Sequence, residues 1–350
     1  MSELAASADL LHGELRLAIA EARTRAAVAV NVELTKLYWQ IGNRLRVEVL
    51  HGERAAYGQQ LVASLGERLA AEFGRGFEAK NLARMMQFAG AFPDAEIVAT
   101  LSRQLSWSAF VCLIPLKDQV SRDFYAQMAA THGWSVRELR RHIETKTFER
   151  TAIAAGQGQG IESAMQELAL TGALPVALAF KDPYVLDFLG LRDTFSEKSL
   201  EDAILRELEA FMLELGSGFA FVERQKRLVI DGEDFYVDLL FFHRRLRRLV
   251  VVELKLGRFK AAYKGQMELY LKWLDKYERQ PGEEKPIGLI LCAEASGEQV
   301  ELLEMHQDGI VVAEYWTELP PREEWERRLH LALVAARARL GGRVGLMETP

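Results

Sequence analysis

The sequence predicts an α/β protein in two parts: a helical N-terminal half, then a domain built on a mixed sheet. Three observations lead there. The chain has 350 residues, long for a single domain. Apolar residues recur at helical spacing through about the first 150 residues, with little turn chemistry. Beyond Asp182 the text changes to short β-branched and aromatic runs separated by turn residues and interleaved with helical stretches.

Taken in order, residues 14–48 carry the first helical pattern. YGQQLVASLGERLAAEFG continues it and stops at the glycines of GRGF, a helix C-cap signal. NLARMMQFAGAF is a short helix ended by Pro93. LSWSAFVCLIPL and SRDFYAQMAATHGW keep the same period. SVRELRRHIETKTFER opens with Ser135 and has Glu138 three residues later, the spacing of a capping box. TAIAAGQGQG, residues 151–160, is small, glycine-rich and uncharged, and is expected to be a linker. LEDAILRELEAFMLELG is an amphipathic helix with Ile204, Leu205, Leu208, Phe211, Met212 and Leu215 on one face. Then come four strand-like runs (GFAFVERQ, KRLVID, DFYVDLLFFH, RLVVVELK), a helix (RFKAAYKGQMELYLKWLDKY), the strand PIGLILCAE, a short helix, the strand GIVVAEYW and a last helix beginning at a proline pair. The expected organisation is a helical domain over 1–155, a connection over 156–185 and an α/β domain over 186–342.

Composition bounds the function. Hydrophobic residues make up 49% and charged residues 27%, which is globular. A net charge of −6 argues against a chain that coats nucleic acid non-specifically, while allowing a local basic patch. The two cysteines, Cys112 and Cys292, lie far apart with no CxxC, which excludes the usual zinc frameworks and fits a reducing compartment. The N-terminus lacks a basic stretch followed by an apolar one, and no run approaches the roughly 18 apolar residues of a membrane span. A cytoplasmic protein is expected. No P-loop, HExxH or GxSxG pattern is present.

The chemistry concentrates in YVDLLFFHRRLRRLVVVELK, residues 236–255. Asp238, Glu253 and Lys255 interrupt runs that otherwise have the texture of buried strand. A buried carboxylate costs several kcal/mol unless it is paired or ligates a metal. Glu253 and Lys255 share a parity, so a strand points both to one face. A hairpin turn at 243–248 would carry Asp238 back beside Glu253. Two carboxylates and an ammonium at one place suit a hard divalent cation, Mg²⁺ or Mn²⁺, with the lysine holding an attacking water or meeting charge on phosphorus. An E-x-K pair by itself is more often a solvated ion pair. The preceding valines, the aspartate one hairpin back and the basic helix that follows favour chemistry here.

Arg244, Arg245, Arg247, Arg248, Arg258, Lys260 and Lys264 form the densest basic cluster, either a phosphate-neutralising patch or a solvated turn. Arg224 and Gln225, expected to end a strand beside the site, are further candidates for a nucleic-acid backbone, against the plainer reading of a surface edge. In the helical half, Arg84, Arg140 and Arg141 are either DNA contacts or ordinary surface.

Asp238 followed by Glu253-Leu254-Lys255 resembles the PD-(D/E)xK nuclease motif, and GFAFVERQ…WLD together with the helical half resembles the YhcG family of nucleases over nearly the whole chain. Val237 stands where the short motif has proline. The resemblance implies a restriction-endonuclease-like αβββαβ core and cleavage of DNA in repair, recombination or defence. It implies metal ligation by Asp238, Glu253 and the Leu254 carbonyl, a catalytic Lys255, homodimers, and a helical domain over 1–155 that serves DNA binding or oligomerisation. It also implies an acidic residue from the first helix of the fold, with Glu201 as candidate and Glu207 and Glu209 as rivals. Gln266, on the helix after the ExK strand, would approach the metal site and substrate phosphate, with Tyr270 on the same face or in the core. A silent binding or scaffold module of the same fold, or cleavage of RNA, are the competing functions.

Overall fold

A computed structural model describes residues 2–51, 55–156, 159–191, 195–295, 297–318 and 320–347. The chain forms two compact units, Met1–Glu144 and Thr145–Pro350.

Among its described residues the first unit contains helices and the turns between them, and no strand. It comprises α1 (Ser2–His51), α2 (Ala55–Phe73), α3 (Ala79–Ala91), α4 (Ala95–Leu101), α5 (Trp107–Leu113), α6 (Gln119–His132) and α7 (Val136–Glu144). Its core is aromatic: Phe88, Phe92, Trp107 and Phe110 meet with centroids 4.9–5.5 Å apart. Helices α1 and α3 cross where Gly42 faces the Met85 carbonyl; a Cβ at Gly42 would lie 1.9 Å from that oxygen, so only glycine permits the approach. Side-chain caps fix several helix starts. Asp94, Ser106 and Asp118 accept backbone N–H groups at their helix starts. The Ser135–Glu138 capping box closes in both directions, at 2.8 and 3.3 Å.

The second unit begins earlier than expected. Residues 147–155, read as helix end and linker, form a buried helix, α8 (Thr147–Ala155), whose residues Arg150 to Ala155 are all buried. The small residues that suggested a linker instead permit close packing. Ile153 packs with Trp325 and Leu329. Arg150 is 1% exposed and pairs with Glu214, which also accepts the Val185 N–H at 2.8 Å. The remaining elements are α9 (Ile161–Thr171), β1 (Tyr184–Val185), α10 (Glu197–Arg206), α11 (Leu208–Leu215), β2 (Phe219–Ile230), β3 (Glu233–His243), β4 (Arg248–Arg258), α12 (Ala262–Tyr277), β5 (Ile287–Glu294), α13 (Gly297–Leu302), β6 (Ile310–Trp316) and α14 (Arg322–Met347).

The strands make one six-stranded mixed sheet in the order β1-β6-β5-β4-β3-β2. The β2-β3-β4 meander is antiparallel; β4-β5, β5-β6 and β6-β1 are parallel. The helix–three strands–helix–strand core is therefore the one anticipated. In central β4, Val250 to Leu254 are all buried, as befits a strand covered on both faces. Met267, Tyr270, Leu271 and Leu274 of α12 pack on Val251, Ile290, Cys292 and Val312.

Two expected elements differ. The single amphipathic helix is two, because Glu207 leaves helical geometry at φ −107°, ψ 35°. The two strands GFAFVERQ and KRLVID are one edge strand, β2, with a register shift between Phe221 and Glu223 and a left-handed Gln225 (φ 46°). Bulges of this kind let a strand turn without ending.

Candidate active site

The β3–β4 ladder pairs His243 with Arg248 at its hairpin and Leu239 with Val252 at its other end. One step further, in the same register, Asp238 faces Glu253. There the paired strands part, since β3 continues along β2 and β4 along β5. The two carboxylates stitch this fork: the Asp238 N–H donates to Glu253 Oε1 (3.1 Å), and the Leu254 N–H donates to Asp238 Oδ2 (2.9 Å). Lys255 lies on the same face as Glu253, and its Nζ is 3.0 Å from Glu253 Oε2. Asp238, Glu253 and Lys255 thus converge.

The electrostatics are those of crowded carboxylates short of positive charge. Burial, then the Asp238 charge, pushes Glu253 up to about 7. Burial also raises Asp238, against the opposing pull of the Leu254 N–H and Lys255. Lys255 is held above its usual range: burial works against its charge, but Glu253 and Asp238 outweigh that. Its ammonium also lies 5.5 Å from the Tyr263 ring centre.

Around this centre, Gln225 and Glu201 complete a chain of contacts. The left-handed backbone of Gln225 aims its amide at both Glu201 Oε2 (2.6 Å) and Asp238 Oδ1 (3.3 Å). Glu201 is 8% exposed and raised by burial and by Asp238. Its rivals Glu207 and Glu209 are exposed on α10–α11 and have no such link to Asp238. Gln266 donates to the Tyr270 hydroxyl (2.6 Å), and that tyrosine, buried in the core, feels Glu253, Lys255 and Asp238. The sequence reading missed Glu197, whose Oε1 accepts the Leu256 N–H at 3.1 Å. Its only signal was the Ser196 cap one residue ahead, which fixes the start of α10.

The basic cluster divides. Arg244, Arg245 and Arg247 are exposed and Arg248 half-buried at the hairpin. That is five rungs, about 17 Å, from the fork, so they do not join the carboxylates. Arg247 pairs with Glu284 (3.4 Å), Arg258 with Glu294 (2.6 Å) and Lys264 with Asp308 (2.8 Å), while Lys260 is exposed. Arg224 and Gln225 lie inside β2 rather than at a strand end, and Arg224 is 4.0 Å from Asp202. Arg84 contacts Asn81 on α3; Arg140 and Arg141 lie on α7.

The Asp238 and Glu253 carboxylates offer oxygen atoms only, the kind of donor Mg²⁺ takes a few of while keeping water. Among the described residues no three His, Cys, Asp or Glu side chains are grouped so as to hold a metal ion by themselves.

Residues 177–331 match the YhcG PDDEXK nuclease domain, and residues 14–150 match the DUF1016 N-terminal domain. The first of these matches lies wholly within the second unit. Over 94% of its length the chain is 38% identical to 94% of the Escherichia coli (strain K12) protein described as "Putative nuclease YhcG". The chain belongs to the YhcG family. Two solved structures overlap it in part. A repair endonuclease from Pyrococcus abyssi is 21% identical, with a TM-score of 0.26, over 37% of this chain and 50% of that one. An EndoMS–dsDNA complex is 23% identical, with a TM-score of 0.27, over 38% and 48%. The chain spans about half the length of each. No helix among the described residues is long and apolar enough to cross a membrane.

Proposed function

We propose that the chain hydrolyses phosphodiester bonds in DNA with Mg²⁺ or Mn²⁺, acting as a pair of copies so that both strands of a duplex are reached. The observation that carries the reading is the fork. Asp238 and Glu253 occupy one register step at the point where the strands part, with the Lys255 ammonium 3.0 Å from Glu253.

Asp238, Glu253 and the Leu254 carbonyl would hold the cation, with Glu201 joining from α10. Bound there, the cation would supply Lewis acidity to the phosphodiester. Lys255, kept protonated by the carboxylates beside it, orients the attacking water and meets negative charge as it builds on phosphorus. Gln225 holds Asp238 and Glu201 in register with each other. Gln266, anchored on Tyr270, offers its amide to a phosphate oxygen. The hairpin arginines, about 17 Å away, contact the backbone of bound nucleic acid without touching the reacting centre.

The test is cleavage of linear duplex, single-stranded and branched DNA and of RNA, with Mg²⁺, Mn²⁺ or chelator, beside Asp238→Ala and Lys255→Ala. Metal-dependent cutting of DNA that both substitutions abolish, with folding intact, supports the reading. Cutting of RNA alone overturns the substrate. Binding without cutting, unchanged in Asp238→Ala, assigns the chain to a non-catalytic binding module.

A further inference from the structure

Helix α1 carries a surface that no other described residue of its unit covers. Between Asp9 and Val30 every residue whose burial is described is exposed except Gly13. Leu11, Leu15 and Ile19 leave 55, 54 and 54% of their surface in water. At about 100° per residue, Leu11, Leu15, Ile19, Ala22 and Ala26 fall within an arc of about 80°. This is one continuous stripe over about 23 Å of helix, wide at its N-terminal end and flat where the alanines follow. Large apolar side chains held in water in this way mark a contact surface.

The charges beside the stripe identify the occupant. Glu14 and Glu21 run along one edge, and Arg16 and Arg23 along the other. Arg25, on the acidic side, is engaged within the helix with Glu21 at 3.5 Å. When two copies pair in parallel about a two-fold axis along the helices, the acidic edge of each faces the basic edge of the other. An antiparallel pair would set acid against acid and base against base. The stripe therefore complements itself in a single orientation.

We infer that α1 is the pairing surface of the protein, joining two copies as a parallel two-helix contact through Leu11, Leu15, Ile19, Ala22 and Ala26. This rests on the reading that two copies act together and names the surface that joins them. Three large apolar side chains on one helix fall short of the roughly 800 Å² per partner of a standard stable interface, so the pair is reversible and its population follows protein concentration.

Sedimentation of the full chain across a concentration series tests this. Wild type is expected to pass from monomer to dimer. Leu15→Lys with Ile19→Lys, both at exposed positions, should weaken the dimer at least about tenfold with unchanged circular dichroism. Glu14→Lys with Glu21→Lys, and Arg16→Glu with Arg23→Glu, should each be monomeric alone and dimerise when mixed. Leu15→Cys in a Cys112→Ser background should form a disulfide between copies, since a parallel pair sets position 15 beside itself. A wild type monomeric at every concentration overturns the inference and the paired reading together, leaving the cleavage assay to judge catalysis. A dimer that survives Leu15→Lys with Ile19→Lys overturns this surface and leaves the paired reading standing. A failed disulfide in a protein that still dimerises through α1 overturns the parallel orientation.

Discussion

At the fork of the β3–β4 ladder, charges are few and crowded: Asp238, Glu253 and Lys255 sit among buried valines, and each carboxylate accepts a backbone N–H from the opposite strand. At the hairpin, charges are many and dispersed: Arg244, Arg245 and Arg247 stand in solvent around a buried, uncharged His243. The sequence makes the hairpin the louder signal. Burial reverses that ranking, because a charge in water is cheap and screened while a charge in a sheet must be matched to a partner or a task.

The largest effect should come at the fork. Asp238→Asn is expected to lower kcat by at least about a thousandfold, the scale of losing a principal metal ligand or oxyanion donor. In chelator the same variant should be more stable than wild type, since it removes the charge beside Glu253 and keeps the oxygen that accepts the Leu254 N–H. Cleavage kinetics and thermal melts together check this. A less stable variant would mean the carboxylate is structural.

The two ends should also respond oppositely to acid. His243 is pushed down to about 4 by burial and by Arg245 and Arg248, and its Nδ1 accepts the Leu246 N–H at 3.1 Å. Its contribution is complete above about 6.5 and is lost as pH falls toward 4. Glu253, raised to about 7 in the metal-free protein, works the other way: its contribution is complete below about 4.5 and is lost as pH rises through 7. Each slope is at most about 1.4 kcal/mol per pH unit. In metal-free protein, His243→Asn should steepen the rise in stability toward acid, and Asp238→Asn should lessen it. Denaturant midpoints from pH 4 to 7 read both, and parallel curves would refute the assignment.

Gln225→Gly should separate backbone from side chain. Glycine relieves the left-handed geometry, a gain of up to about 1 kcal/mol, while removing the amide between Glu201 and Asp238 should lower kcat by roughly tenfold to a hundredfold. The smallest effect is expected from Arg244→Ala with Arg245→Ala. Binding should weaken a few-fold and the slope of log affinity against log salt should fall by about one for each phosphate no longer neutralised, with kcat unchanged. A drop in kcat would bring the hairpin into the reacting centre and erase the contrast.

What was legible in the sequence follows the same physics. Strand parity and hairpin length are local rules, so Asp238, Glu253 and Lys255 could be grouped from spacing alone, and the Ser135–Glu138 cap likewise. What stayed hidden depended on partners far along the chain. TAIAAG has the composition of a linker, and only Trp325 and Leu329 turn it into a buried helix. Nothing local breaks the helix at Glu207 or keeps β2 continuous through Gln225. Glu197 joins the site only because α10 begins beside Leu256. The density of arginines could not show that a hairpin points its turn away from the far end of its own ladder.

Strand β2 borders the sheet on one side, twelve residues long, with Val222 and Val229 exposed. Such a border invites a stray strand to add itself and begin an aggregate. The kink at Phe221–Glu223 and the left-handed Gln225 deny a newcomer a regular template, helped by Glu223, Arg224, Lys226 and Arg227 along the rim. The irregularity that aims one amide at two carboxylates therefore also guards the border of the sheet. A variant engineered toward a straighter β2 would lose both at once, becoming slower and stickier together.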